Sequence, residues 1–130
     1  MSFVKGLGEF SFPSPDEWYC HVAHFDRGHS ELQIKAQNMV SGEALTIVFV
    51  ATIYFEGPFM WHSADFMIEP QEKCEALMQQ LGETDLKIIL EDRRLFSARI
   101  SKAPDLSTAV RIIAAKSAFV TDRQYSDSSY

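Results

Sequence analysis

Apolar and polar residues alternate along segment 30–38 of the chain. Leu32, Ile34 and Ala36 are each followed by a polar or charged residue, so every second side chain is apolar. Successive side chains of a β-strand point to opposite faces, and this alternation is typical of a strand with one buried and one solvated face. The segment therefore predicts a strand of an antiparallel sheet, the kind of sheet that commonly keeps one face in water.

Segment 43–55 is a longer and more apolar stretch. Alternate residues from Leu45 to Phe55 form a wholly apolar face, and the other face mixes threonine with valine and tyrosine. Such a strand is expected in the middle of a sheet, covered on both sides. Segments 16–25 and 59–68 are also rich in β-branched and aromatic residues, which favour strands. The first half of the chain thus predicts four successive antiparallel strands.

The clearest helical pattern covers residues 70–81. Pro70 suits the first helical position, and Gly82 suits the position just past the end of a helix. Four residues at helical spacing are expected to form the stripe that packs inward, namely Cys74, Leu77, Met78 and Leu81.

The second half adds a hairpin and an ambiguous segment. Segments 86–90 and 95–101 are interpreted as two strands joined by the charged turn 91–94. Segment 105–120 has apolar residues at helical spacing, but several of them are β-branched, which favours a strand. We interpret it as a helix.

The resulting order ββββ-α-ββ-α predicts an α+β fold, in which a mainly antiparallel, strongly curved sheet packs against one or two helices. A chain of 130 residues fits a single domain. Residues 1–15 end in two closely spaced prolines and are expected to form an extended arm, because proline keeps its predecessor out of the helical region. Residues 121–130 are expected to be a flexible polar tail.

Composition narrows the class of protein. An apolar content of 46% with a net charge of −6 excludes intrinsic disorder. Two cysteines are too few for a disulfide scaffold, so a cytoplasmic protein is expected. The longest uncharged, mostly apolar run, 44–55, is shorter than the roughly 20 residues of a membrane helix. A negative chain without a basic stripe also argues against nucleic acid as the partner.

Candidate chemistry is sparse, because the standard phosphate-binding, metalloprotease and nucleophile-elbow motifs are missing from the sequence. His24 and Asp26 are two residues apart on a predicted strand, and His29 in the following turn could complete a metal site. The alternative is that these histidines bond to backbone groups at strand ends, and no cofactor is expected. An enzyme would pair His24 with Asp26, or His62 with Asp65, as acid and base.

Aromatic residues are the other conspicuous feature, with ten Phe, four Tyr and two Trp. These residues either fill the core or form an exposed aromatic face of the sheet that binds a partner. Five residues are predicted to bind a ligand or partner, namely Trp18, Tyr54, Phe59, Trp61 and His62. We therefore expect a non-enzymatic cytoplasmic binding or accessory domain that acts through an aromatic sheet face on a protein partner or as a homodimer. The alternative is a protein with an apolar pocket for a small molecule between sheet and helix. A small histidine and carboxylate enzyme is the third reading.

Overall fold

Two antiparallel sheets pack face to face in the structure, a computed structural model that describes residues 3–83, 91–99 and 109–122. The sheet that contains most of the N-terminal half has six strands. In spatial order they are β1 (Val4–Gly6), β10 (Phe119–Thr121), β4 (Ala44–Phe49), β3 (Glu31–Asn38), β2 (Trp18–Asp26) and β6 (Met60–His62).

The second sheet has four strands, and a helix covers part of its outer face. The strand order is β5 (Tyr54–Glu56), β9 (Ala109–Ala115), β8 (Arg93–Arg99) and β7 (Asp65–Ile68). Helix α1 (Gln71–Gln80) buries Cys74, Leu77 and Met78 against Leu95 and Ile113 of this sheet. The predicted α+β class with antiparallel sheets is confirmed, and the predicted curvature stays a prediction.

The helix prediction is confirmed to within one residue at each end. Pro70 occupies the N-cap rather than the first helical position, and Leu81 is the C-cap and is exposed instead of packing inward. Gly82 adopts a φ of 88°. Its N–H donates to the Gln79 carbonyl at 3.0 Å, and the Glu83 N–H donates to the Met78 carbonyl at 3.1 Å. These two bonds form a Schellman motif, which requires the left-handed backbone that glycine adopts without strain.

Two predicted strands are each divided between the sheets. Segment 43–55 consists of β4 in the six-stranded sheet and β5 in the four-stranded sheet, joined by a crossing at 50–53 where Ala51 has a φ of 50°. Segment 59–68 likewise consists of β6 and β7, with the break at Ser63, whose φ is 107°. A single strand through either segment was therefore the wrong prediction. Both faces of β4 are buried, as its pattern predicts.

The prediction of a helix over 105–120 is wrong for the described residues, which form β9 and β10. Ile112 faces the core between the sheets and Ile113 faces α1, so both sides of β9 are apolar. Burial on both faces removes the alternation that marks a strand and leaves an apolar run that also fits helical spacing. Residues 105–108, the predicted strand 86–90 and residues 123–130 of the predicted tail 121–130 lie outside the described residues. Thr121, the first residue of that predicted tail, instead belongs to β10 and is buried.

Aromatic residues dominate the core between the sheets. The ring of Phe49 meets the ring of Phe96 edge to face, with centroids 5.2 Å apart, and also packs against Phe66. Phe12 packs edge to face on Trp18 at 5.0 Å, so the N-terminal segment contributes to the core. That segment was predicted as an extended arm, and within it β1 pairs with β10.

Candidate functional site

A β-bulge near the end of β2 sets the direction of the side chains that follow it. Val22 pairs with Ile34, whereas His24 pairs with Gln33, which leaves Ala23 as an extra residue. Residues three apart on a regular strand point to opposite faces. The bulge adds one residue and places Val22 and Phe25 on the same face, the core side of the sheet.

The crossing at 50–53 holds the opposite wall of the same region. The Thr52 N–H donates to the Ser30 carbonyl at 2.7 Å, and the Ile53 N–H donates to the Ile113 carbonyl at 2.9 Å. The buried Thr52 hydroxyl donates to the Phe49 carbonyl at 2.9 Å. These bonds tie the crossing to the β2–β3 turn on one side and to β9 on the other.

A cavity of about 280 Å³, open to solvent, lies between these two walls, and we call it the apolar cleft. Phe59 at its rim is 79% exposed, and Phe25 and Ile53 are each 47% exposed. An engineered apolar cavity of about 150 Å³ accepts benzene, so this volume accommodates a larger ring system. The lining residues are Val22, Phe25, Leu32, Thr52, Ile53, Tyr54, Phe55 and Phe59, none of which carries a charge.

Besides Thr52, the lining residue with a hydrogen-bonded polar side chain is Tyr54, whose hydroxyl donates to Glu56 at 2.7 Å. This bond lowers the pKa of the Glu56 carboxyl, with a smaller contribution from Arg111 in the same direction, and raises the pKa of the Tyr54 hydroxyl. The Tyr54 donor is thereby occupied, and so is the Thr52 donor. The cleft therefore offers apolar contact and little hydrogen bonding.

The structure separates the five residues predicted to bind a ligand or partner. Tyr54 and Phe59 line the apolar cleft. Trp18 and Trp61 are core residues, 1% and 3% exposed, so neither belongs to an exposed aromatic face of the sheet. The ring of His62 bonds through Nε2 to the Asp16 carbonyl at 2.6 Å, which is the alternative that the sequence left open for its histidines.

The predicted metal ligands come together only in part. His29 Nδ1 lies 2.7 Å from Asp26 Oδ2, and the Gly28 N–H donates to Asp26 Oδ1 at 3.0 Å. This bonding lowers the pKa of Asp26 and raises the pKa of His29. Among the described residues, no group of three or more His, Cys, Asp or Glu side chains could hold a metal ion. His24 therefore does not complete a metal site with Asp26 and His29.

Sequence reasoning missed the other walls of the cleft, chiefly Phe25 and Ile53. Phe25 comes just before the polar turn 26–29, a position where an apolar side chain at a strand end is often exposed. Ile53 was assigned to a continuous covered strand, and only the change of sheet at 50–53 exposes it. The sequence signal for that change is weak, because the residue with positive φ is an alanine.

The structure and the comparisons with known proteins add two findings. Among the described residues, none of the helices is long and apolar enough to cross a membrane. Neither a protein-family model, nor a curated protein, nor a solved structure matches this chain.

Proposed function

We propose that this chain is a non-enzymatic binding protein that takes a small, uncharged, apolar molecule into the apolar cleft. The observation that carries the proposal is a concave, solvent-open surface whose lining side chains are all uncharged and mostly aromatic or aliphatic. Ligand sites are typically concave and apolar, with few polar groups. We favour the apolar cleft over an aromatic sheet face as the binding surface, because Trp18 and Trp61 lie in the core.

The expected affinity is moderate. Full burial of a phenylalanine or isoleucine side chain contributes about 1.5–3 kcal/mol, and the rim residues Phe25, Ile53 and Phe59 are only partly buried without a ligand. The ligand also loses translational and rotational freedom on binding. A dissociation constant in the micromolar range, about −8 kcal/mol at 1 μM, is a reasonable expectation for a cleft that stays open on one side.

Catalysis finds little support in the surroundings of the cleft. None of its lining residues is a histidine or a carboxylate. Asp26 and His29 form an exposed pair in the β2–β3 turn, and His62 is bonded to the backbone. A cytoplasmic location belongs to the same proposal, because Cys20 and Cys74 are both free and buried, as expected in a reducing compartment.

The test is a titration with N-phenyl-1-naphthylamine, an uncharged dye that fluoresces when it enters an apolar site. We expect saturable binding at one site per chain. Phe59→Ala and Ile53→Ser should each weaken binding at least about fivefold, equivalent to roughly 1 kcal/mol. Val40→Ala is the matched control, because Val40 is as exposed as Phe59 but lies in the β3–β4 turn. Binding that does not saturate, or that the control weakens as much, would contradict the proposal.

A second candidate function, self-association, is supported by the edge of the six-stranded sheet. Phe59 and Met60 are adjacent and exposed, and in the described part of the chain β6 pairs only with β2. Unpaired edge strands with apolar side chains favour pairing with another chain. Sedimentation should then show a concentration-dependent dimer that Met60→Lys abolishes while dye binding in the cleft persists. A monomer at all concentrations would eliminate this candidate.

A further inference from the structure

A second cavity, of about 290 Å³, lies on the outer face of the four-stranded sheet beside α1, and we call it the polar cleft. One face of the helix contributes Lys73, Leu77 and Gln80, which are spaced at helical intervals. The complete lining is Glu69, Lys73, Ala76, Leu77, Gln80, Leu95, Ser97 and Arg111. Unlike the apolar cleft, it combines an apolar floor with charges of both signs.

Strand register brings the charged groups of this cleft side by side. Arg111 on β9 pairs with Ser97 on β8 and with Glu56 on β5. Directly opposed residues on neighbouring strands have Cβ atoms about 4.5–5.5 Å apart. The Ser97 hydroxyl donates to Glu69 Oε2 at 2.5 Å, and Lys73 Nζ lies 3.4 Å from Glu69 Oε1. Arg111 forms an ion pair with Glu56. The cleft lining therefore contains one carboxylate, that of Glu69, and two cationic groups, those of Lys73 and Arg111.

These groups retain hydrogen-bonding capacity after their mutual contacts. Lys73 has three N–H donors, one of which is occupied by its contact with Glu69 in the described part of the chain. Arg111 has five N–H donors, two of which bond to Glu56. The Glu69 carboxylate has about four lone-pair sites and accepts from Ser97 and Lys73. The Glu69 side chain is only 17% exposed, and its pKa is lowered chiefly by the Ser97 hydroxyl, so it is ionised at neutral pH. Both a cationic and an anionic group of a ligand would find partners here.

We propose that the polar cleft binds a small zwitterion of the amino-acid class that has an apolar side chain. Its ammonium group would bind Glu69, its carboxylate would bind Lys73 and Arg111, and its side chain would lie against Leu77 and Leu95. A ligand with only one of the two charged groups would meet a repelling charge without gaining the compensating contact. The site does not depend on the apolar cleft, so the two proposals stand or fall separately.

The test uses L-leucine, with 3-methylbutanoate and 3-methylbutylamine as analogues that each lack one charged group. Amide chemical shifts are followed by NMR during titration to about 10 mM, a range that detects millimolar dissociation constants. We expect saturable shifts at Ala76 and Leu77 with leucine. The two analogues should bind at least about tenfold more weakly, because each loses a charge-assisted hydrogen bond.

Substitutions assign the binding to this cleft. Lys73→Met and Glu69→Gln should each weaken leucine binding at least about tenfold. Lys73 is exposed, so its substitution should leave the fold intact even if the loss of the Glu69 carboxylate does not. Lys116→Met is the matched control, because Lys116 is exposed and absent from the cleft lining. No saturable shifts with leucine, or equal binding by either analogue, would overturn the proposal.

Discussion

Replacing Phe49 by alanine is the most direct test of how the two sheets are held together. Phe49 is fully buried at the end of β4, just before the chain crosses to the other sheet. Its ring packs edge to face on Phe96 of β8 and lies 6.3 Å from the ring of Phe66 on β7. The side chain of this one residue thus contacts two strands of the opposite sheet.

The expected cost is large for a chain of this size. Truncation of a buried phenylalanine to alanine costs about 3–5 kcal/mol, because contacts are lost and a cavity remains. We expect the upper half of that range, since each aromatic pair contributes about 0.5–1.5 kcal/mol beyond the buried area. For a domain of this length, about 4 kcal/mol lowers the melting temperature by roughly 12–20 °C.

Urea denaturation of Phe49→Ala measures this cost, and Phe49→Leu provides a milder variant in case the alanine variant does not fold. The leucine variant should lose about 1–2 kcal/mol. Phe59→Ala is the control, because an exposed phenylalanine should change stability by less than about 0.5 kcal/mol. If Phe49→Ala and Phe59→Ala destabilised the protein equally, the assignment of Phe49 to the core between the sheets would be refuted.

Three further predictions concern single groups. NMR titration of His29 should give a pKa above its ordinary 6.5, and Asp26→Asn should return it toward that value. The bond between protonated His29 and Asp26 therefore stabilises the protein below the unfolded-state pKa of His29, and this contribution is lost as the pH rises through the folded-state pKa. A His29 pKa that Asp26→Asn left unchanged would contradict the bond. Burial raises the pKa of Cys20 to about 12 and also raises that of Cys74, so native thiols should react with iodoacetamide at least about 100-fold more slowly than unfolded ones. Ser63→Gly should stabilise the protein by about 1 kcal/mol in urea denaturation, because glycine adopts the positive φ of this position without strain. The substitution also removes a buried hydroxyl that has no partner among the described residues. A loss of stability would show that the backbone at Ser63 is unstrained.

The parts of the fold that the sequence predicts well are those where local signals agree. Helix α1 has a proline at its start, a glycine just past its end and an apolar stripe at helical spacing, and the structure places it within one residue of the prediction. Strand β3 shows strict alternation and has the predicted bounds to within a residue. In β9 the local signals conflict, because burial on both faces removes the alternation and leaves helical and extended spacing indistinguishable.

Of the candidate site, the sequence predicted Tyr54 and Phe59 but not the cleft that they line. The sequence shows which residues are aromatic but not which of them are exposed, because exposure depends on contacts between distant segments. Trp18 illustrates the difference: its indole N–H donates to the Pro13 carbonyl at 3.0 Å, which allows a polar aromatic ring to be buried in the core. No local pattern distinguishes such a tryptophan from an exposed one.

The position of the apolar cleft follows from the crossing at 50–53, and this explains why the sequence did not reveal it. A strand that had continued from β4 would have kept Ile53 in the six-stranded sheet, beside the residues of β3. Because Ala51 takes a positive φ, the chain turns toward β9 and leaves a gap between the β2–β3 turn and β5. Non-glycine residues seldom adopt that backbone, and the surrounding bonds of Thr52 and Ile53 stabilise it here. The same tertiary contacts that divide the strand between two sheets therefore create the apolar cleft, so the cleft could be found only once the sheet pairing was known.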